Sequence, residues 1–148
     1  MVVLASGSLG GCSATGPPTE QNWKEEPHHF SVLSALTFEG SELAPSVGLD
    51  YEYRTSEFLG LGSVLEYAFE NIDATTLLAV ADLHFTPSFI MQTGPGVEWI
   101  EGTSEFVYRL GVLYEWEISG LTISPQIHYD FTSDDDAIIT GVACGFAF

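Results

Sequence analysis

The chain has 148 residues, enough for one domain, and 45% of them are hydrophobic, so it can bury a sizeable core. Only three residues are basic against 21 acidic ones, and the resulting net charge of -18 argues against nucleic acid as a partner. No apolar stretch approaches the roughly 18 residues that a membrane-spanning helix needs, which excludes a helical membrane protein. Charged residues make up 16% and aromatic residues 13%, a balance that predicts a surface not facing water everywhere.

Residues 1–28 differ in composition from the rest of the chain. The stretch MVVLASGSLGGC has a short apolar start followed by small residues, as at the end of an export signal. Its last four residues resemble the lipobox of bacterial lipoproteins, which implies acylation of Cys12; an ordinary signal peptide cut nearby is the alternative. The following SATGPPTEQNWKEEPHH has paired prolines and almost no aliphatic residues, which predicts a flexible leader.

From residue 29 onward, apolar residues alternate with small or polar ones, the period of a β-strand. In EFVYRLGVLYEWE, for example, one face is wholly apolar and aromatic, whereas the other carries Arg109, Gly111 and Glu115. These runs are long for globular strands but suit a tilted crossing of a bilayer. Eight such runs are predicted, at about 29–39, 45–55, 58–69, 75–86, 89–100, 105–117, 120–131 and 137–148.

The connections between these runs are short and polar, which predicts hairpins and an up-and-down antiparallel sheet closed into a barrel. A soluble lipocalin-like barrel would point its apolar face inward, whereas an outer-membrane barrel points it at lipid. The sequence favours the second, because aromatic residues lie near strand ends on the apolar face and small residues occupy the mixed face. The predicted fold is an all-β, eight-stranded antiparallel up-and-down transmembrane β-barrel over residues 29–148. The predicted aromatic belts comprise Tyr53, Tyr67, Phe69, Phe85, Trp99, Phe106, Trp116 and Phe131.

The final strand, GVACGFAF, ends on an aromatic ring. With VGLDYEYR, GPGVEW, RLGVLYEW and ISPQIHYDF, it resembles the family of small bacterial outer-membrane β-barrel proteins, including the OmpA-type transmembrane domain. The resemblance implies an outer-membrane location, the lipid bilayer and lipopolysaccharide as partners, and recognition of Phe146 and Phe148 by the outer-membrane assembly machinery. Pro95 and Pro125 depart from the pattern, because each removes a ladder hydrogen bond, and we expect bulges or kinks there.

Acidic residues cluster in the connections that would face outward if the leader is periplasmic. The last connection contains Asp134, Asp135 and Asp136. Either these carboxylates simply keep a wet rim soluble, or they bind divalent cations that bridge to lipopolysaccharide phosphates, since hard cations prefer clustered oxygens.

The mixed face places charges inside the barrel. Counting along hairpins puts Arg109 beside Glu98 on the fifth run and near Asp130 on the seventh. Buried charges need partners, so we predict a network that either plugs the lumen or gates a small water path. Arg54 lies near the other end of the barrel, where Asp50 and Glu52 on the same face of its strand are its candidate partners. The predicted lumen charge network comprises Glu98, Arg109, His128, Asp130, Arg54, Asp50 and Glu52.

His128 raises an enzymatic alternative, because some eight-stranded barrels of this membrane are lipid A deacylases or acyltransferases. The deacylase pattern places a serine two residues after its histidine, where this chain has Asp130, and the nearby Ser124 falls on the inward face with His128. We therefore expect no catalytic residue, metal or cofactor. The predicted role is non-enzymatic: envelope structure, surface interaction or at most a narrow pore. A lipid-modifying enzyme or a small-molecule-binding barrel is the alternative.

Overall fold

The computed structural model describes residues 15–16 and 22–148. Each long strand runs antiparallel to its neighbours, and the last pairs with the first, so the sheet closes on itself. The predicted eight-stranded up-and-down barrel is thus confirmed. Its strands are β1 (His28–Glu39), β2 (Glu42–Arg54), β3 (Leu59–Ala68), β4 (Ala74–His84), β5 (Phe89–Ile100), β6 (Thr103–Tyr114), β7 (Leu121–Phe131) and β8 (Ala137–Ala147).

Short elements lie beside the barrel at the end where the described chain begins and finishes, here called the terminal end; the opposite end is the loop end. A four-residue helix, α1 (Asn22–Glu25), precedes β1. A two-residue strand, Thr15–Gly16, pairs with Trp116–Ile118, which continues the line of β6. Part of the predicted leader therefore joins the sheet, whereas Cys12 lies outside the described residues. In the described ranges, any helix falls short of the length and hydrophobicity needed to cross a membrane.

The strands are staggered around the barrel. Moving from each residue to its cross-strand partner leads from β1 around the barrel and back to β1, ten residues further along. A stagger of this size goes with strands tilted by about 40° and an interior just wide enough for side chains to fill. The path runs through His28, Tyr53, Leu61, Ala81, Thr93, Leu110, Tyr129, Ile138 and Phe38.

Burial alternates along the strands as the period-two pattern predicted. In β6, Val107, Arg109 and Leu113 are buried, while Tyr108 and Leu110 are exposed. All eight predicted belt residues are exposed, from Tyr67 at 36% to Phe106 at 63%. The apolar face therefore points away from the barrel, and the mixed face lines the lumen.

Tight turns set the register of three hairpins. Glu101 and Gly102 both have positive φ, as do Ser119 and Gly120, which is the conformation of two-residue type I′ turns. At Gly40 only the first turn residue has positive φ, as in a type II′ turn. Because the turn at Glu101–Gly102 is two residues long, the strands on either side of it pair from Ile100 and Thr103 onward.

The prolines interrupt hydrogen bonding without producing the predicted bulges. The β4–β5 ladder keeps one register on both sides of a gap opposite Pro95. The pairing of β6 with β7 has a gap at Tyr114 and Glu115, opposite Pro125 and Ser124, and Trp116 resumes the same register. Pro95 and Pro125 lack an N–H to donate, so a ladder bond is lost, but no extra residue is inserted. The expectation of bulges there was wrong.

Glycines allow adjacent strands to approach closely on the lumen side. A Cβ atom on Gly62 would lie 2.0 Å from the carbonyl oxygen of Tyr51 on the neighbouring strand. That oxygen belongs to the backbone and cannot move without shifting β2. The absence of a side chain at Gly62 is therefore a requirement of the barrel's curvature.

We expect Gly62→Ala to destabilise the folded barrel by about 1–3 kcal/mol, because an added methyl group forces a backbone shift. Urea unfolding in lipid vesicles, followed by tryptophan fluorescence, measures the effect. The matched control is Ser63→Ala at the adjacent, exposed position, for which we expect less than about 0.5 kcal/mol. Equal unfolding midpoints for the two variants would show that the barrel accommodates the methyl group.

Candidate functional site in the barrel lumen

The lumen is filled by side chains, many of them polar or charged. Its centre is occupied by Arg109 on β6, which is fully buried. Two apolar clusters also face the lumen, formed by Val64, Leu78, Val80 and Val107 and by Leu33, Ala35, Ala137, Ile139 and Ala143. The candidate site is therefore a set of charged groups enclosed inside the barrel.

Arg109 bridges two carboxylates on different sides of the lumen. Its Nη1 and Nη2 donate to the two carboxylate oxygens of Glu66 on β3 at 2.6 and 2.7 Å. Its Nε and Nη2 donate to the two oxygens of Asp130 on β7, both at 2.7 Å. Planar fork-to-fork pairing of this kind is the strongest geometry available to a guanidinium and a carboxylate. Arg109, Glu66 and Asp130 are named the central triad below.

The structure brings Arg109 and Asp130 together, as counting along the hairpins predicted. The predicted contact between Arg109 and Glu98 was wrong. Glu98 lies opposite Glu105, four residues from Gly94, which faces Arg109. The error arose because a four-residue connection was assumed where the chain makes a two-residue turn. Glu98 instead accepts a hydrogen bond from Thr76 at 3.0 Å, nearer the loop end.

Glu66 was missed by the sequence analysis. It lies on β3, which is not adjacent to β6, so no hairpin count could pair it with Arg109. The available signal was its inward position in LGLGSVLEYA, as the only charged residue of that strand. An unaccounted carboxylate facing a narrow lumen is a natural partner for a buried arginine.

His128 packs beside the central triad. It is 2% exposed, and its Nδ1 has no hydrogen-bond partner among the described residues. Gly111 lies directly opposite on β6, where a Cβ atom would be 2.1 Å from that nitrogen. The imidazole thus occupies the space that the missing side chain of Gly111 leaves.

A second polar group lies near the terminal end. Glu52 accepts a hydrogen bond at 2.6 Å from Nε2 of His84, and Nε of Arg54 lies 3.7 Å from the same oxygen. Arg54 also donates to the backbone carbonyls of Ser56 and Glu57. Of the two predicted partners of Arg54, Glu52 is in contact, whereas Asp50 instead accepts a 3.0 Å hydrogen bond from Gln92.

A small cavity adjoins this second group inside the lumen. Four of its lining residues are acidic: Asp50, Glu52, Asp82 and Glu115. Asp82 is 4% exposed, and its Oδ1 has no hydrogen-bond partner among the described residues. This space is named the acidic cavity.

At the loop end, acidic side chains organise the last connection. Asp136 accepts hydrogen bonds from the Thr132 backbone at 3.1 Å and from the Tyr129 hydroxyl at 2.8 Å. Glu105 accepts from the backbone of Ser133 and Asp134, both at 3.1 Å. Within residues 15–16 and 22–148, no three acidic, histidine or cysteine side chains are grouped to hold a metal ion. Cation bridging by Asp134, Asp135 and Asp136 stays a prediction.

Residue 148 lies at the seam of the barrel, the ladder where the last strand, β8, pairs with the first, β1. Phe148 exchanges two backbone hydrogen bonds with His28, at 2.8 and 3.0 Å, and the two rings stack with centroids 5.2 Å apart. Phe146 and Phe148 are both exposed on the outer face. The predicted assembly-signal residues thus lie on the apolar surface beside the first strand, with Phe148 paired to it.

Comparison with known proteins bears on the fold. No family model and no curated protein matches the chain. Solved structures do match. The N-terminal β-barrel domain of Pseudomonas aeruginosa OprF gives a TM-score of 0.65 at 12% identity, covering 81% of this chain and 97% of that one. The chain has the fold of the eight-stranded outer-membrane β-barrels.

Two further solved structures support that statement. The Yersinia pestis attachment invasion locus protein, Ail, matches this barrel with a TM-score of 0.53 at 15% identity, over 83% of this chain and 98% of that one. Neisserial surface protein A matches with a TM-score of 0.52 at 13% identity, over 82% and 96% of the two chains. At such low identities the likeness concerns architecture, and function has to be argued from this barrel's own residues.

Proposed function

We propose that the protein is a non-enzymatic integral protein of the bacterial outer membrane, with a structural or surface-contact role in the envelope. The observation that carries the proposal is the combination of an apolar outer face, bounded by exposed aromatic rings, with a lumen filled by buried charges. A soluble barrel has the opposite arrangement. Bacterial outer-membrane proteins with the same fold support the location.

The lumen supports a plug rather than an open pore. Arg109 spans it from β6 to Glu66 on β3, and apolar side chains fill neighbouring levels. An ion crossing this level would have to displace four short hydrogen bonds to a buried guanidinium, which is costly without a replacement partner.

The geometry gives little support to the enzymatic alternative. Ser124 and His128 are 4% and 2% exposed and face the lumen, whereas a lipid substrate would approach the outer face. Asp130, two residues after His128, is held by Arg109. A lipid-modifying enzyme needs its nucleophile and base where the substrate lies.

The partners in this proposal follow from the surface. The lipid bilayer covers the apolar face, and lipopolysaccharide adjoins the loop end, where divalent cations would bridge its phosphates to Asp134 and Asp135. Both side chains lie in an exposed turn. Short connections at this end leave little height above the membrane, which suits contact with a lipid surface.

Folding of the full chain in detergent micelles tests the proposal. We expect β-type circular dichroism and a band whose mobility on a denaturing gel changes on boiling. We also expect planar bilayers containing the folded protein to show no steady conductance. A chain that folds in plain buffer without detergent, or one that cleaves lipid A in the folded state, would overturn the proposal.

The role of the last residue gives a separate prediction. We expect Phe148→Ala to lower the amount of barrel assembled in the outer membrane of cells, while refolding in detergent changes little, because the two backbone hydrogen bonds to His28 remain. Membrane fractionation measures the first effect, and gel mobility measures the second. The control is Phe131→Ala, which removes another exposed outer ring. Equal loss with both variants would mean that aromatic area, and not the terminal position, controls assembly.

A further inference from the structure

The acidic cavity is lined by more acidic side chains than the described arginines can pair with. It is lined by the carboxylates of Asp50, Glu52, Asp82 and Glu115. The arginine with a described ion-pair contact to this group is Arg54, whose Nε lies 3.7 Å from Glu52, while its guanidinium is also held by the backbone carbonyls of Ser56 and Glu57. Arg109 is engaged by the other two members of the central triad. One arginine at the edge therefore faces four carboxylates.

Hydrogen bonding satisfies only part of this group. Glu52 is hydrogen-bonded to His84, and Asp50 accepts from the neutral amide of Gln92. Asp82 is 4% exposed and lines the cavity with an oxygen, Oδ1, that lacks a described hydrogen-bond partner. A buried carboxylate oxygen without a donor or a counter-charge is destabilising, so a bound positive species would be favoured there.

Besides His29, whose ring is hydrogen-bonded to Thr122 at 2.7 Å, several of the remaining lining groups carry oxygen atoms suited to a small cation. Ser31, Ser124 and Gln126 contribute hydroxyl and amide oxygens on the side of β1 and β7. Oxygen ligands of this kind replace part of the water around a hard cation. The carboxylates come from β2, from β4 and from Glu115, the residue after β6, and among the described residues no three of them are placed to coordinate one metal ion directly. The ion would therefore keep some of its own water.

We propose that the acidic cavity binds a monovalent, partly hydrated alkali cation such as sodium, with Asp82 and Glu115 as its main charged ligands. The cation enters from the terminal end and stops below the central triad, since Arg109 repels it. The site is thus a resident-ion site within a closed barrel and does not depend on the proposed role at the cell surface.

Thermal unfolding of the full chain tests the site. The protein is folded in an uncharged detergent at pH 8, and its midpoint is recorded against rising sodium chloride and, at equal ionic strength, against N-methyl-D-glucamine chloride. We expect sodium to raise the midpoint in a saturable way, because a ligand that binds only the folded state stabilises it by mass action. The bulky organic cation, too large for the cavity, should give only a shallow rise from screening.

Isosteric variants locate the effect. We expect Asp82→Asn and Glu115→Gln each to weaken the apparent sodium affinity by about tenfold or more, since each removes a ligand charge in a poorly solvated space. In sodium-free buffer, Asp82→Asn should unfold at a higher temperature than the native chain, because it removes an uncompensated charge. The matched control Asp134→Asn alters an exposed carboxylate of the loop end and should leave the sodium response unchanged.

Two results of the unfolding measurements would overturn the proposal. One is equal stabilisation by both cations, which would mean screening alone; the other is a saturable sodium effect that persists in both isosteric variants. Sodium-23 NMR of the native folded protein gives an independent measurement that needs no variant to fold. Line broadening that potassium reverses supports the site, and sodium lines as narrow as those with empty micelles exclude it.

Discussion

Replacing Arg109 with methionine should destabilise the folded barrel by about 3–5 kcal/mol, because Glu66 and Asp130 would remain buried without their counter-charge. Arg109 is fully buried, and four hydrogen bonds of 2.6–2.7 Å hold it to the two carboxylates. Urea unfolding of the protein in lipid vesicles measures the change. The expected result is a lower midpoint with a folded state that still shows β-type circular dichroism.

Two further variants show whether the effect belongs to the central triad. Arg54→Met removes the other barrel arginine, whose side chain is 17% exposed and 3.7 Å from its partner, and should cost less than Arg109→Met because its longer, partly hydrated contact contributes less. Combining Arg109→Met with Glu66→Gln and Asp130→Asn removes all three charges and should restore most of the lost stability. If the triple variant is no more stable than the single one, the loss comes from packing around the arginine and not from unpaired charge.

Placing an arginine on the outer face at Leu49 should have the second-largest effect. Leu49 is 44% exposed near the middle of β2 and is flanked by Val32 and Leu65 on the neighbouring strands. If this face meets hydrocarbon, Leu49→Arg should destabilise the vesicle-inserted barrel by about 2–4 kcal/mol, since a charge at the bilayer midplane is costly. Urea unfolding in vesicles again gives the measurement.

The same substitution distinguishes the membrane barrel from a soluble one. On a water-facing surface, Leu49→Arg would leave stability within about 0.5 kcal/mol of the native value. Leu49→Ala separates loss of the apolar side chain from the cost of the charge, and Asp134→Arg places the same charge in an exposed turn. A barrel equally stable with arginine at positions 49 and 134 would argue against insertion of this face into lipid.

The period-two pattern was sufficient to predict the barrel and the direction of its side chains. Each strand is long and alternates strictly, so a one-residue error would have placed Leu49 or Phe106 in the lumen, and the structure shows both exposed. Strand ends were less predictable: β2 begins at Glu42 rather than near residue 45 because the preceding turn contains only Gly40 and Ser41.

Contacts across the lumen depend on the stagger of the strands and on the exact length of each turn, which the alternation of apolar and polar residues does not reveal. Arg109 and Asp130 lie on adjacent strands, so counting along the hairpin found them, whereas the pairing with Glu66 depends on the stagger of the whole barrel. The wrong position predicted for Glu98 shows how sensitive such counting is to turn length. The turn contains two residues, both with positive φ, instead of the expected four, and this changes the partner of every residue in the hairpin. The acidic cavity has the same origin, since its carboxylates come from β2, from β4 and from the residue after β6.

The pairing of Phe148 with His28 makes the seam chemically equivalent to the other ladders of the barrel. The chain termini could therefore be moved to another turn without changing which strands are neighbours in the barrel. A circular permutant that joins residue 148 to residue 28 by a short linker and opens the chain in the 85–88 turn would keep every strand neighbour in place. Its new last residue would be Phe85, an exposed aromatic ring at the same rim.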